Sequence, residues 1–408
     1  MKVLQVNCVY DSGSTGKITA DLHREYQKNG IDSIVCYGRL GKTADKGVYK
    51  VCGEYYSKLN HFRALVTGIP YGGCLFSTNK LISIIKKEKP DLVHLQCING
   101  YFVNIYRLVT WLKQNNVKTV LTLHAEFMFT GSCGYSYSCE KFKTGCGNCP
   151  QIKNGVPTYL FDNTARSFKK MKKAFDGFDQ NLIVTSVSPW LMERAKSSVI
   201  LGNKKHFVVE NGLDETIFRP SYEEALRNKY AKENEKIIFY ATPYFSADEN
   251  NAKGGKNLIE LAERFKGEKV TFLIAGDYDK DVVIPDNIIL LGRISNQKDL
   301  AKLYSIADVT VITSRRETFS MICAESLCCG TPVCGFFAGG PETIALTEYT
   351  EFVEYGNIEA LYEAVKNNFD KKTDMVDIIS KTATKRYKRE NMYRAMLHVY
   401  DGLLNGDK

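Results

Sequence analysis

Short apolar, β-branched runs recur along the chain with helical patterns between them. Val3 to Val9, Ser33 to Tyr37, Leu92 to Gln96, Thr119 to His124, Leu182 to Val187 and Phe207 to Glu210 each read as a strand. After a polar stretch from Pro220 to Glu235, which reads as linker plus a short helix, the pattern restarts. Ile237 to Ala241, Val270 to Ala275, Ile288 to Leu291, Val309 to Thr313, Pro332 to Phe336 and Phe352 to Glu354 form a second set. Strands alternating with helices imply βαβ units on a parallel sheet covered on both faces, so the pattern predicts two doubly wound α/β domains in tandem. The tail from Ile379 to Leu404 is a basic helical pattern with no strand to pair with, and is expected to cross back onto the first domain. The expected domains are 1–217 with the returning segment 386–408, and 218–385.

Composition agrees with this picture and narrows it. A chain of 408 residues exceeds one ordinary core, and 44% apolar with 25% charged residues is globular rather than disordered. No apolar run approaches the ~20 residues of a membrane span, and the N-terminus reads as a buried strand rather than a leader. Of 13 cysteines, Cys8, Cys36, Cys97, Cys323 and Cys334 sit singly in apolar runs, the usage of a reduced, cytoplasmic protein. Charge is uneven: residues 1 to 217 hold about 29 Lys and Arg against about 17 Asp and Glu, while the remainder is slightly acidic. Nucleic acid, an anionic membrane surface and an anionic substrate would each suit a basic domain.

Ligands of open α/β sheets bind outside the carboxyl ends of the strands, so motifs at those ends carry weight. After the first strand comes Asp11-Ser12-Gly13-Ser14-Thr15-Gly16-Lys17, then a helical run from Ile18. Gly13 and Gly16 either let backbone amides approach a ligand or serve a tight turn; their spacing fits neither the dinucleotide fingerprint nor the P-loop. His124 ends a strand, where it can bond a sugar hydroxyl or be a satisfied structural histidine, and Glu126 follows. The densest signal runs from Ser314 to Leu327, followed by Gly330-Thr331-Pro332 and Gly339-Gly340-Pro341-Glu342. Glu317 lies in a loop after a strand, a helix begins near Phe319, and Glu325 lies on that helix. Two such carboxylates can grip hydroxyls at both ends of a nucleotide sugar while the amides of Phe319, Ser320 and Met321 face its diphosphate. The plainer alternative is a turn glutamate plus a salt-bridged helix glutamate.

Together these motifs resemble the retaining GT-B glycosyltransferases of family 4, over nearly the whole chain and in order. The resemblance rests on the Gly-rich first loop, Pro90-Asp91-Leu92-Val93-His94, the strand ending at His124, Ser186 to Leu191, Glu210-Asn211-Gly212-Leu213-Asp214, Lys253-Gly254, Ala275-Gly276-Asp277 and the Glu-x7-Glu pair Glu317 and Glu325. It implies two facing Rossmann-like domains, the first for an acceptor and the second for a nucleotide sugar, with chemistry in the cleft. It also implies that Glu317 contacts the donor sugar, Glu325 the ribose, Lys253 or the nearby Lys256 the diphosphate, and that His124 approaches the donor sugar. Two departures stand out: Tyr240 to Tyr244 contains no Arg where the family commonly has one for the diphosphate, and Ala125 follows His124 where Asp is usual. The implied function is transfer of a hexose-type sugar, with retention, to a glycan or lipid-linked acceptor. A GT-B nucleotide-sugar epimerase and a zinc-containing nucleic-acid-binding protein are the alternatives; confinement of charge to one domain and the lack of a recognition motif disfavour nucleic acid.

Two further features concern metals and membranes. Asp277-Tyr278-Asp279 matches the metal-binding Asp-x-Asp of another transferase class, but Lys253 and a helix start can stabilise a diphosphate without a cation, and no catalytic metal is expected. Cys133, Cys139, Cys146 and Cys149 crowd the loop from Ala125 to Pro157. Cys146-x2-Cys149 has zinc-ligand spacing, so a structural zinc is expected, with disulfides or free thiols as alternatives. A loop of this length is expected to need such a clip for order. Arg166 to Phe175 carries cations beside Phe168, Met171 and Phe175 at helical spacing: either a solvated helix with its stripe in the core, or part of a peripheral contact with an anionic inner leaflet.

Overall fold

The computed structural model describes every residue except 154, 157, 370, 373, 374, 407 and 408. The end of the cysteine loop at Pro157 and the last two residues of the returning segment thus lie outside the described residues. The chain divides into two compact units, Met1–Glu210 with Tyr393–Lys408, and Asn211–Met392.

The first unit is built on a seven-stranded sheet of β1 (Lys2–Asn7), β2 (Asp32–Tyr37), β3 (Val48–Lys50), β4 (Leu92–Leu95), β5 (Thr119–Leu123), β6 (Leu182–Ser186) and β7 (Lys205–Val208), in the order β3-β2-β1-β4-β5-β6-β7. The second has six strands, β8 (Lys236–Phe245), β9 (Val270–Tyr278), β10 (Ile288–Gly292), β11 (Val309–Ile312), β12 (Val333–Phe336) and β13 (Thr350–Val353), in the order β10-β9-β8-β11-β12-β13. Neighbouring strands are parallel in both sheets. Central strands such as β4, β5, β11 and β12 are buried along their whole length, as strands covered on both faces must be. Strand order reverses between β1 and β4 in one sheet and between β8 and β11 in the other. Loops leaving those strands diverge to opposite faces and open the crevice where ligands of such sheets bind.

Several boundaries differ from expectation for physical reasons. The short edge strand β3 lacks a continuous apolar run. β8 and β9 extend to Phe245 and Tyr278 because the ladder resumes beyond an irregularity between Ala241 and Tyr244, which accommodates Pro243. The first helix starts at Gly13, not Ile18. A Cβ on Gly16 would lie 3.0 Å from Val9 Cγ2, so this glycine lets the first turn sit close against the strand exit.

The tail forms two helices, Val376–Tyr387 and Arg389–Asn405. In the second unit Leu213 exchanges backbone hydrogen bonds with Tyr387 (2.7 Å) and Arg389 (2.9 Å). A Cβ on Gly212 would come within 2.8 Å of Arg389 Cα, which accounts for the glycine of the Asn-Gly pair. In the first unit Tyr400 hydroxyl meets Tyr26 hydroxyl (2.9 Å) and His94 Nδ1 (2.7 Å), and so fixes the end of the chain to the sheet.

The loop after β5 supplies its own core. Phe127, Met128, Phe129, Phe142 and Val156 are all buried, and the rings of Phe129 and Phe142 meet edge to face at 5.4 Å. Glu126, 0% exposed, accepts from Ser136 Oγ at 3.0 Å and from the Nε of Arg194, whose guanidinium lies over the Phe142 ring at 4.7 Å. This loop thus has a core of its own, since it buries aromatics and an ion pair that spacing alone does not reveal.

Candidate functional site

The switch point of the second sheet collects the charged residues singled out by sequence. β8 leads to Lys253 and Gly254, β11 to Glu317, and β12 to Gly339 and Gly340. Tyr240 hydroxyl donates to the Lys253 carbonyl (2.6 Å) and Thr313 hydroxyl to the Gly254 carbonyl (2.8 Å), so both strands hold the Lys253 loop from below. Gly254 has φ +72°, and a Cβ there would strike the Thr313 carbonyl oxygen at 2.0 Å; only glycine fits. The Arg315 amide bonds the Ala252 carbonyl at 2.8 Å and joins this loop to the next.

Glu317 is locked by its backbone. Its amide donates to the Ala338 carbonyl (3.0 Å), and its own carbonyl accepts from Gly340 (2.9 Å). Glu342 in turn accepts from the amides of Ala338 (3.1 Å) and Gly339 (2.7 Å). With its main chain fixed, Glu317 meets Lys253: Nζ to Oε1 is 2.6 Å, and both side chains retain exposure, 29% for Lys253 and 12% for Glu317. Lys256 turns elsewhere, to Glu249 and, at 3.9 Å, Glu260 on the outer side of its helix.

Ser320 precedes the helix Met321–Cys328 with φ +77°, a strained value for a non-glycine residue, and its hydroxyl accepts from the Cys323 amide at 3.3 Å. Phe319 is buried against Tyr387, so its side chain anchors the helix start while the turn itself faces the crevice end of the sheet. Glu325 accepts from Tyr304 hydroxyl at 2.9 Å. Tyr240, Thr313, Tyr304 and Glu342 thus orient the charged set. Of these only Glu342 stood within a sequence motif; the others are ordinary core positions until the sheet is assembled.

Asp277 and Asp279 lie at the end of β9. Asp279 accepts from Tyr244 hydroxyl, and Asp277 faces Arg293 at 3.8 Å. Among the described residues, no three His, Cys, Asp or Glu side chains are grouped to hold a metal ion. That finding includes the four cysteines. Cys133, Cys139, Cys146 and Cys149 line one cavity of about 20 Å³, room for about one water, but the expected tetrahedral set does not form.

In the first unit Gly13 and Gly16 start the first helix, and His124 directly follows β5. Withdrawal of the His124 ring from water pulls its pKa down to about 4, so it is neutral at pH 7 and can bond hydroxyls without carrying charge. His94, fully buried on β4, is lowered to about 3 by burial and then by the proximity of His124.

Two parallel α/β units in tandem, the second with a cation and a carboxylate paired at its switch point, make up the GT-B fold. Residues 223–386 match the family model described as glycosyl transferases group 1. Over 347 residues the chain is 22% identical to WcaC of Escherichia coli (strain K12), a glycosyl transferase named for colanic acid biosynthesis, across 82% of each chain. It is 21% identical to the N-acetyl-alpha-D-glucosaminyl L-malate synthase of Bacillus anthracis, across 83% of this chain and 80% of that one. Among solved structures, Anabaena Alr3699/HepE in complex with UDP has the same fold, with a TM-score of 0.67 at 15% identity over 98% of this chain and 100% of that one. Residues 223–386 thus carry the group 1 glycosyltransferase domain, and the chain is a nucleotide-sugar-dependent glycosyltransferase with the GT-B fold. Among the described residues no helix is long and apolar enough to cross a membrane.

Proposed function

We propose that this enzyme transfers a hexose-type sugar from a UDP-sugar to a glycan or lipid-linked acceptor in polysaccharide assembly, with retention of configuration, on the cytoplasmic side of the membrane. The observation that carries the reading is the Lys253–Glu317 pair, 2.6 Å apart at the β8/β11 switch, with 29% of the Lys253 side chain and 12% of the Glu317 side chain still exposed. A mobile cation and a fixed carboxylate in contact can part around a donor: Lys253 takes the diphosphate and Glu317 the sugar hydroxyls. Glu325 holds the ribose, and the amides from Phe319 to Met321 add the positive end of a helix to the phosphate side. The bond from the anomeric carbon to the phosphate oxygen breaks, and its electron pair leaves on the diphosphate. The acceptor oxygen attacks on the same face, and its proton passes to the departing phosphate oxygen. Stabilising that departing charge is the main demand, and Lys253 with the helix start meets it. His124, neutral, bonds a substrate hydroxyl. The names of WcaC and of HepE with UDP-glucose support the polysaccharide context and the uridine donor. A structural zinc is not carried into this reading, because the cysteine loop has its own core and no coordinating set is formed.

Thermal shift with UDP-, GDP- and ADP-sugars tests the donor. A UDP-sugar at about 100 times its Kd should stabilise the protein by about 2.7 kcal/mol, and Glu325→Ala should lose most of that shift. Preference for a GDP- or ADP-sugar would overturn the nucleotide, and an unchanged shift in Glu325→Ala would overturn the ribose role.

A further inference from the structure

The helix Glu54–Thr67 is folded inside out. It buries Ser57, Asn60 and Ala64, while Tyr55, Leu59 and Phe62, spaced along one helical face, are 90%, 64% and 61% exposed. Its inward polar groups are satisfied. Ser57 donates to the Gly100 carbonyl (3.2 Å), and Asn60 accepts from the Cys74 amide (2.8 Å) and donates to the Tyr56 carbonyl (2.8 Å). The outward apolar face is thus the intended state of a well-bonded helix.

Two neighbouring segments extend that face. The helix Leu75–Glu88 starts beside it, with the Phe76 ring 5.9 Å from Tyr56, and exposes Leu75 and Phe76. The strip ending in Tyr159, Leu160 and Phe161, all exposed, is tied to the end of the inside-out helix by Tyr159 N–H to the Leu65 carbonyl (2.8 Å) and Asn163 to the Thr67 carbonyl (2.8 Å). Apolar side chains exposed singly are normal; a cluster from three segments marks a contact surface.

Beside this face lies a groove of about 630 Å³ with walls from the helices Ile105–Gln114 and Thr164–Phe175. Arg107, Lys113, Lys170 and Lys173 line it with Tyr106 and Trp111, and no carboxylate does. Gly72 connects the two features: it lines the groove, and a Cβ on it would be 3.9 Å from Nη2 of Arg63, a residue of the inside-out helix. The stripe Phe168, Met171 and Phe175 is buried, so this second helix contributes cations and no insertable surface.

We propose that this face of the first unit docks on an anionic lipid bilayer, with Tyr55, Leu59, Phe62, Phe76, Leu160 and Phe161 entering the headgroup boundary and the cationic groove taking lipid phosphates. Charge complementarity selects this occupant. An apolar patch rimmed by cations matches an anionic leaflet, whereas two copies of the chain paired through this face would bring two cationic grooves together. The inference deepens the lipid-linked acceptor reading, which it rests on for its purpose, but its test uses neither donor nor acceptor.

The experiment is co-sedimentation of the full chain with phosphatidylcholine vesicles, with or without about 30% phosphatidylglycerol, from low salt to about 0.5 M. Expected is binding to the anionic vesicles only, weakened but not abolished by salt. Phe62→Ser with Phe76→Ser should weaken it about tenfold or more through lost apolar contact, as should Arg107→Ala with Lys170→Ala through lost charge, both with wild-type melting and donor shift. Equal sedimentation with both vesicles, or the serine variant binding like wild type, would overturn the proposal. So would a solution dimer that the serine variant dissociates, since the face would then belong to a second copy. Loss of vesicle binding with an intact donor shift separates this inference from the donor reading, which fails only in the donor assay.

Discussion

Two glutamate–cation pairs follow strands of this chain, and they are chemically alike but differently placed. Glu126 comes after β5 in the first unit and holds Arg194; Glu317 comes after β11 in the second and holds Lys253. Glu126 is fully buried, accepts further hydrogen bonds from Ser136, and faces a guanidinium held between the rings of Phe142 and Trp190. Glu317 keeps part of its surface, and its partner is a single ammonium on a flexible stem, 29% exposed. A buried, multiply bonded pair is committed to holding a loop. A half-open pair on a rigid backbone can exchange its partner for a ligand at small cost. Solvent access and the number of bonds on each group, not charge or sequence neighbourhood, separate the structural pair from the one proposed to meet the donor.

The comparison breaks most visibly at Glu126. Glu126→Gln should destabilise the first unit by about 2–4 kcal/mol, because the largely buried Arg194 would keep only the half-exposed Glu140, at 3.3 Å, as a counter-charge. Denaturant melts measure this, and saturating donor should give the same stabilisation as in wild type. A variant as stable as the parent would place Glu126 among exposed surface pairs.

Lys253→Ala and Glu317→Ala should behave oppositely. Stability should change by about 1 kcal/mol, less than at Glu126, because both side chains of the pair keep some solvent contact, while kcat falls about 100-fold or more through lost stabilisation of the leaving diphosphate and of the sugar. Steady-state rates with the best donor decide it. Wild-type kcat in Glu317→Ala would remove the pair from the chemistry.

Every strand but the short edge strand β3 was legible to within a few residues, because strands buried on both faces must be continuous apolar runs. The nearness of Lys253 to Glu317 was legible because a parallel sheet brings the ends of β8 and β11 together whatever the intervening sequence. The supports were not: Tyr304, which bonds Glu325, sits in a helix as an ordinary apolar-face residue, and Tyr240 lies inside a strand. Nor was the direction of the helix Glu54–Thr67, since periodicity shows that Tyr55, Leu59 and Phe62 share a face but not which face is inward. The core of the loop after His124 was not legible for a related reason. Phe127, Phe129 and Phe142 are isolated in a polar segment, and only tertiary contact with Tyr71 and Arg194 makes them a core.

The smallest expected effect concerns the two histidines beside the Glu126 loop. His94 and His124 titrate near about 3 and about 4 in the folded chain, from burial and, for His94, its neighbour, against about 6.5 when unfolded. Above pH 6.5 both states are neutral, and the full contribution to stability is present. As pH falls from 6.5 toward 4 the unfolded chain binds protons that the folded chain refuses, so stability declines, by about 1 kcal/mol per histidine between pH 7 and 5.5. Carboxylates also titrate as the solution becomes acid, but comparing a variant with its parent cancels their share. His124→Gln cannot take up that proton in either state, so its stability loss between pH 7 and 5.5 should be smaller than the parent's by about 1 kcal/mol. Urea midpoints at the two pH values give the difference directly. Parallel curves for variant and parent would mean that His124 titrates normally and stands in water, which would leave a protonated, charged ring at the end of β5 at mildly acid pH.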